Sequence, residues 1–476
     1  MRRALAPLVF LSLFALNACG RLGFDSLGNN DVPGVDGGGG SSDASPNAPD
    51  APGSTGIMGP ASMTVRTPWG GVTDHPVVFH DADGAVVAVE YTDADGTATH
   101  DIPADAMVTL IDPSIGALGG PSKLMLFTIM GVQPDDRLSH GSDIDPWELR
   151  GFAEVTLSGP VGGAAFYAVD VGCELNSTVD AGQPLVIALN NACFRGASNF
   201  DVIAYALDSA ENILAYTTAN DVAVVPGGTA QIGLPPWQFN SSDVVVTLSN
   251  PPMTASYADV TVQPVARGIP FYAEPRGDNV SLTGPTEITT QIPSGFAGGL
   301  QYMISLYHKT SMLGASPPPA VSYLIERRAT AVPTVAHDMS TDFLAPIVTV
   351  WLDDNIADRP ALDLVGTGDY TSADGGLAVV AWVDGGGNFI EWWLLFPPGL
   401  DTVKVPELPD LLAGFRPTAT SEYNSPQVVI LDADFINGFA DMRTNHGFDV
   451  ISDPHWLPRT DSFVLRAVAG PGGFFK

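Results

Sequence analysis

The chain has 476 residues, room for about three domains of roughly 150 residues, and its 20 basic and 53 acidic side chains leave a net charge of -33. Gly (51) and Pro (40) are abundant, while 42 Asp stand against 11 Glu and 16 Arg against 4 Lys, so the good helix formers Glu and Lys are scarce. These counts exclude a coiled coil, a helical repeat array, a collagen-like rod and the basic stripe of a nucleic-acid binder, while 45% hydrophobic residues suffice for sizeable cores.

The first element is a leader. Arg2 and Arg3 precede a 13-residue apolar stretch, Ala4 to Leu16, broken only by Pro7 and Ser12. It is shorter than the roughly 20 residues of a membrane-spanning helix and reads as a secretion signal. It ends in Leu16-Asn17-Ala18-Cys19, which resembles the lipobox of bacterial lipoproteins. The resemblance implies removal of residues 1–18, diacylglycerol on the Cys19 thiol and a further acyl chain such as palmitate on its amino group. Asn17 departs from the small or aliphatic residue usual there, and Gly20 stands where an Asp would retain such a protein in the inner membrane. The resemblance therefore implies lipid anchoring at the bacterial outer membrane, on its periplasmic or its outer side. An ordinary signal peptide cut near Ala18 is the alternative reading.

Residues 19–56 follow as a tether. From Gly28 to Gly56 only Val32 and Val35 are large apolar residues, so the segment cannot offset its ordering entropy by burial. As a flexible linker it reaches on the order of 30 Å root mean square.

Beyond Gly56 the pattern is short alternating or apolar runs between Gly, Pro, Asp and Asn, which predicts an all-β chain of tandem Greek-key β-sandwich domains, Ig-like or transthyretin-like. The expected blocks are 57–140, 147–239, 241–330 and 331–476. In the first, Asp81-Ala82-Asp83-Gly84 and Asp93-Ala94-Asp95-Gly96 flank a strand carrying Val87, Val89 and Tyr91. The run Thr92-Asp93-Ala94-Asp95-Gly96 resembles the mark of the carboxypeptidase-regulatory, transthyretin-like domain family. That family implies a structural or adhesive accessory and supplies no catalytic residue. In the second and third blocks, Val155-Thr156-Leu157-Ser158 recurs as Val246-Thr247-Leu248-Ser249 and Phe166-Tyr167-Ala168 as Phe271-Tyr272-Ala273. Unequal spacing makes this a faint repeat at most.

The last block holds the clearest hairpin, Leu377 to Val383 and Phe389 to Phe396. Pairing Asp384 with Asn388 across a three-glycine loop lines up Ala378, Val380 and Trp382 with Ile390, Trp392 and Leu394, whereas a two-residue loop would set Val380 against Glu391. The first register predicts Trp382 and Trp392 in the core. It places Trp393 on the other face beside Glu391, either as a sugar-stacking platform or packed against a neighbouring sheet or domain.

For chemistry the sequence offers few candidates. Cys173 and Cys193, an even pair in an exported chain, read as a disulfide; two free thiols are the alternative. His80-Asp81 and His100-Asp101 are candidate ligands of a divalent ion, against a packed-histidine reading that the parity of His100 with Ala98 and Ile102 favours. The Asp-rich turns leave calcium between neighbouring loops open, although Gly at position 4 does not fit an EF-hand and turn chemistry explains both runs. No hydrolase, metalloprotease, Walker or dinucleotide motif occurs. The expected function is a non-catalytic structural or binding lipoprotein of the envelope, taking a glycan or an envelope protein as partner and needing no cofactor. The competing expectation is a carbohydrate-active hydrolase with accessory sandwiches.

Overall fold

The computed structural model describes residues 58–112, 123–141, 148–178, 180–194, 198–271, 280–294, 298–308, 320–354, 356, 358–366, 368–383, 387–418, 420–424, 426–447, 457, 458, 460 and 462–470. The leader, Cys19, the tether and the loop residues 384–386 lie outside them.

Period-two alternation becomes strand nearly throughout. In β1 (Gly59–Thr67), Ala61, Met63 and Val65 are buried while the residues between them face outward. It is followed by β2 (Gly70–Gly71), β3 (Pro76–His80), β4 (Val86–Tyr91), β5 (Thr97–Ile102), β6 (Ala106–Ile111), β7 (Lys123–Val132) and β8 (Arg137–His140). β1 pairs antiparallel with β5 and parallel with β8, and this small sheet shares a core with the larger sheet β4-β3-β6-β7. β4 and β6 both flank β3 but connect through the small sheet, which is a Greek-key arrangement.

The same plan returns twice. The second module consists of β9 (Leu149–Thr156), β10 (Phe166–Asp170), β11 (Leu175–Thr178), β12 (Leu185–Asn190), β13 (Asn199–Leu207), β14 (Ile213–Ala223) and β15 (Gly228–Gly233). β9 pairs antiparallel with β12 and parallel with β15, and the large sheet is β11-β10-β13-β14. The third consists of β16 (Ser241–Ser249), β17 (Ala255–Ala266), β18 (Ile269–Pro270), β19 (Val280–Ser281), β20 (Thr286–Pro293), β21 (Gly299–His308), β22 (Ala320–Arg328) and β23 (Thr334–Asp338). β16 pairs antiparallel with β20 and parallel with β23, and β18 and β19 flank β17 in the order β17-β21-β22. The repeated Val-Thr-Leu-Ser straddles the end of β9 and closes the equivalent β16, whereas Phe166 opens β10 and Phe271 follows β18. β23 lies beyond residue 330, so the small sheet of the third module extends into the block that begins at 331.

The fourth module contains β24 (Ile347–Asp353), β25 (Ala361–Gly366), β26 (Gly375–Val383), β27 (Phe389–Phe396), β28 (Thr402–Lys404), β29 (Glu422–Tyr423), β30 (Gln427–Ala433) and β31 (Phe463–Ala469). Its large sheet, β27-β26-β30-β31, keeps the plan. In its small sheet β25 pairs with β28 on one flank, and the other flank is taken by the preceding β24, antiparallel, in place of a parallel closing strand. The predicted hairpin register is present, with Ala378 opposite Leu394, Val380 opposite Trp392 and Trp382 opposite Ile390, and Trp382 and Trp392 are fully buried.

The modules are joined edge to edge. β7 pairs in parallel with β27, and β22 pairs antiparallel with β31, so the large sheets of the first, fourth and third modules form one sheet of 14 strands. Exposed strand edges are otherwise templates for unwanted pairing, and here they are spent on each other. On one face of this sheet Phe79 and Phe127 share a core with Trp393, Leu431 and Phe463. On the other, Val78 and Leu126 join Trp382, Trp392, Val350 and Leu362. The second module has its own core and meets the third through Ile203, Tyr205 and Tyr216 against Ile269 and Phe271.

Candidate functional site

The two Asp-Ala-Asp-Gly runs fold as tight turns, the first closing the β3–β4 hairpin and the second carrying the chain from β4 in the large sheet to β5 in the small one. Asp81 Oδ1 accepts the backbone N–H of Asp83 (3.0 Å) and Ala85 (2.8 Å), and Asp93 Oδ1 accepts those of Asp95 and Thr97 (both 2.9 Å). Gly84 and Gly96 take the left-handed φ of 79° and 78° that closes each turn, as turn chemistry requires. Beside them, Thr92 is buried; its hydroxyl donates to the Val72 carbonyl and accepts the His75 N–H. These residues shape the sandwich.

His80, Asp81, His100 and Asp101 do not converge. His80 lies with Val78 on one face of the large sheet, while the His100 ring is 5.7 Å from that of Phe79 on the other and its Nδ1 is 3.0 Å from Glu90. Asp81 is engaged in its turn and Asp101 is an exposed residue opposite Pro60. Among the described residues no three His, Cys, Asp or Glu side chains form a group that could hold a metal ion.

His80 instead ends a buried polar chain that crosses the first seam. Trp392 Nε1 donates to Thr128 Oγ1 (2.7 Å), the hydroxyls of Thr128 and Thr109 are 2.7 Å apart, and Thr109 Oγ1 is 2.9 Å from His80 Nε2. An indole only donates, so Thr128 Oγ1 accepts from Trp392, while either threonine hydroxyl can donate to the other and the His80 tautomer sets the last bond. Burial, with Arg359 adding to it, pushes the His80 pKa down to about 4. Elsewhere in the first module the fold brings together His75, His140 and Asp112. His75 Nε2 is 2.8 Å from the Ile111 carbonyl, and burial lowers both imidazoles, that of His140 to about 4, against the pull of the Asp112 carboxylate.

Trp393 and Glu391 are adjacent, with Trp393 Nε1 donating to Glu391 Oε2 at 3.3 Å. Both are buried, at 5% and 2% exposure, and the Trp393 ring lies 6.1 Å from that of Phe127. The sugar-platform expectation is thus corrected in favour of packing: the joined sheet is covered on both faces, so the side opposite Trp382 is also interior. Cys173 and Cys193 form a disulfide with Cα atoms 4.6 Å apart. It ties the turn after β10 in the large sheet to the one-turn helix Asn191–Phe194 that follows β12 of the small one.

Two open features remain. A cleft of about 310 Å³ lies between the second and third modules, lined by Asp201, Asn220, Arg267, Gly268, Gly299 and Arg328. Arg267 is paired there with Asp201 and with Asp221 (2.8 Å), and Arg328 with Glu326 (2.8 Å), so both arginines of the cleft are engaged, Arg267 in an ion-pair clamp between modules. The second feature is the outer face of β24-β25-β28. Val350, Leu362 and Val403 point into the core, which turns Trp351, Asp363 and Thr402 outward in a row of directly paired residues. Trp351 is 59% exposed, and Thr402 Oγ1 donates to Asp363 Oδ1 at 2.7 Å. Sequence parity did not single this face out, because Ile347 to Leu352 is apolar at nearly every position.

No family model matches the chain, and no curated protein matches it. Among solved structures it is similar to the Bacillus anthracis TIE protein (9% identity, 59% of this chain and 50% of that one, TM-score 0.13). It is also similar to a chicken fragment of three fibronectin domains, CNTN1 FN1-FN3 (9%, 60% and 94%, 0.12), and to the pilus adhesin SpaC of Lactobacillus rhamnosus GG (9%, 71% and 43%, 0.13). The chain thus spans about half the length of the first of these.

Proposed function

We propose that the protein is an exported, lipid-anchored scaffold of the bacterial envelope, structural or adhesive in role and non-catalytic. The observation that carries this reading is the edge-to-edge fastening of the first, fourth and third modules into one sheet. A pull on the N-terminal tether then enters three modules at once, since the first is bonded to the last. The seams are reinforced by side chains. Arg443 is bidentate to Asp136 (2.8 and 3.3 Å), and Arg359 donates to the Asp83 carbonyl.

The competing hydrolase would need two carboxylates facing each other across an open cleft at about 5 to 10 Å. Asp432 is held by Arg466 at 3.0 Å, and Asp201, the acid lining the cleft, is held by Arg267. These pairings favour a scaffold.

Two measurements test the reading. Cys19→Ala should move the protein from the membrane to the soluble fraction and remove the mass of the acyl chains; an unchanged distribution and mass would sink the anchor. The intact protein should release no products from a panel of glycans, and turnover that survives repurification would overturn the non-catalytic assignment.

A further inference from the structure

We propose that the outer face of β24-β25-β28 binds a neutral glycan, with Trp351 as the stacking platform and Asp363 as the acceptor of sugar hydroxyls. The proposal rests on the binding role above and supplies its ligand class. It begins from an exposed indole at a position where water usually meets a small polar side chain. The equivalent outer faces of the first and third modules carry Ser62, Thr64, Thr97 and Thr99, and Thr247, Glu287, Thr289 and Gln291; that of the second carries a half-buried Phe152. Among the described residues of these four sheet faces, the fourth is the one that presents a large aromatic ring more than half exposed, and this exposure contributes little to folding.

Its surroundings suit a pyranose. Trp351 sits within a strand whose alternate residue Val350 is anchored in the core, so the ring is carried on a rigid support and stacking costs little ordering. Strands lie about 4.8 Å apart, which puts the carboxylate of the directly opposite Asp363 within about one sugar-ring width of the indole. Thr402 fixes Asp363 through Oδ1, leaving Oδ2 to accept from a ligand. Thr349 and Asp353 flank Trp351 along its strand, and Lys404 follows Thr402 at the far edge. A ring face apposed to C–H groups with a carboxylate at its margin is the arrangement that sugar recognition uses. A net charge of -33 repels polyanionic polysaccharides, which favours uncharged ones over acidic ones.

The test is affinity electrophoresis of the full chain in native gels containing dextran, starch, xyloglucan or galactomannan, with melting temperature read in parallel. At least one of these should retard the protein. Trp351→Ala should weaken that retardation about tenfold or more, Asp363→Asn should weaken it less, and Trp351→Tyr should restore most of it, all with unchanged melting temperature. Absence of retardation in every gel, or retardation indifferent to Trp351→Ala, overturns the proposal. Capture of an envelope protein that depends on Trp351, without retardation by any polysaccharide, also overturns it while leaving the scaffold reading standing.

Discussion

The second and fourth modules share one strand order in their large sheets and manage its edges in opposite ways. In the second, β11-β10-β13-β14 stands alone, and a disulfide links the large sheet to the small one. In the fourth, both edges of β27-β26-β30-β31 are covered by strands of other modules, and no cysteine is present. The comparison teaches that one plan is secured either by a covalent cross-link, acting chiefly on the unfolded chain, or by neighbours that complete its hydrogen bonding. Each device should fail on its own side.

The largest effect is expected at the seam between the third and fourth modules. Arg327 is 1% exposed, and its guanidinium lies 4.6 Å over the Phe463 ring. It donates to Gln301 Oε1 (3.2 and 2.8 Å) and to the carbonyls of Pro458 (2.6 Å) and Thr460 (3.4 Å). Arg327→Ala leaves these acceptors unpaired around a cavity and should cost about 3 to 5 kcal/mol. Hydrogen exchange should then rise in β22 and β31 while β10 and β13 keep their protection. Equal loss in both regions would mean that the modules are not secured separately.

The converse break is Cys173→Ala with Cys193→Ala. Opening a loop of sequence separation 20 should cost roughly 3 kcal/mol, confined to the second module. In calorimetry one transition should move and the one sensitive to Arg327→Ala should stay.

Acid should divide the molecule along the same line. His80, His140 and His308 have pKa values lowered to about 4 by burial, against an unfolded value near 6.5. Between those limits the unfolded chain binds protons that the folded chain refuses, so stability falls as pH drops from about 6.5 to about 4, by up to roughly 3 kcal/mol for a site such as His80. All three lie in the joined modules, and no histidine occurs between His140 and His308. The transition of the joined sheet should therefore fall between pH 7 and 5 while that of the second module holds. His80→Gln should flatten part of the slope.

What was legible in the sequence was local. The β26–β27 register could be read because a slip would have set Val380 against Glu391, and the Asp turns because Asp and Gly each have a reason to stand there. The disulfide followed from an even pair of cysteines in a chain whose leader reads as a secretion signal. The inward placement of Trp393 was left between two readings, since alternation along one hairpin reports which residues share a face and not what covers that face. Its cover comes from a different module; the Trp392–Thr128 bond across the same seam spans 264 residues. Trp351 went unnoticed for the opposite reason: in Val350-Trp351-Leu352 an apolar residue stands at every position, and only the packing of β24 on the core decides which one faces water.

The smallest expected effect sharpens the repeat itself. Asp208 in the second module rebuilds the turn of Asp81 and Asp93: its Oδ1 accepts the N–H of Ala210 (2.8 Å) and Asn212 (2.9 Å), and the Glu211 N–H donates to the Asp208 carbonyl at 3.0 Å. The position occupied by Gly84 and Gly96 is here Glu211, with φ 66°. A side chain in that region is crowded against its own carbonyl, a cost that glycine avoids, although glycine adds freedom to the unfolded chain. Steric relief should prevail, and Glu211→Gly should stabilise the second module by about 0.5 to 1 kcal/mol, read as a rise in the disulfide-sensitive transition alone. The reverse change, Gly84→Glu, should do more harm than this mirror image suggests. A Cβ there would meet Pro406 at 3.1 Å, and the turn also carries the bond from Glu407 N–H to the Gly84 carbonyl (2.8 Å). The same turn is thus a free-standing hairpin in the second module and part of a seam in the first.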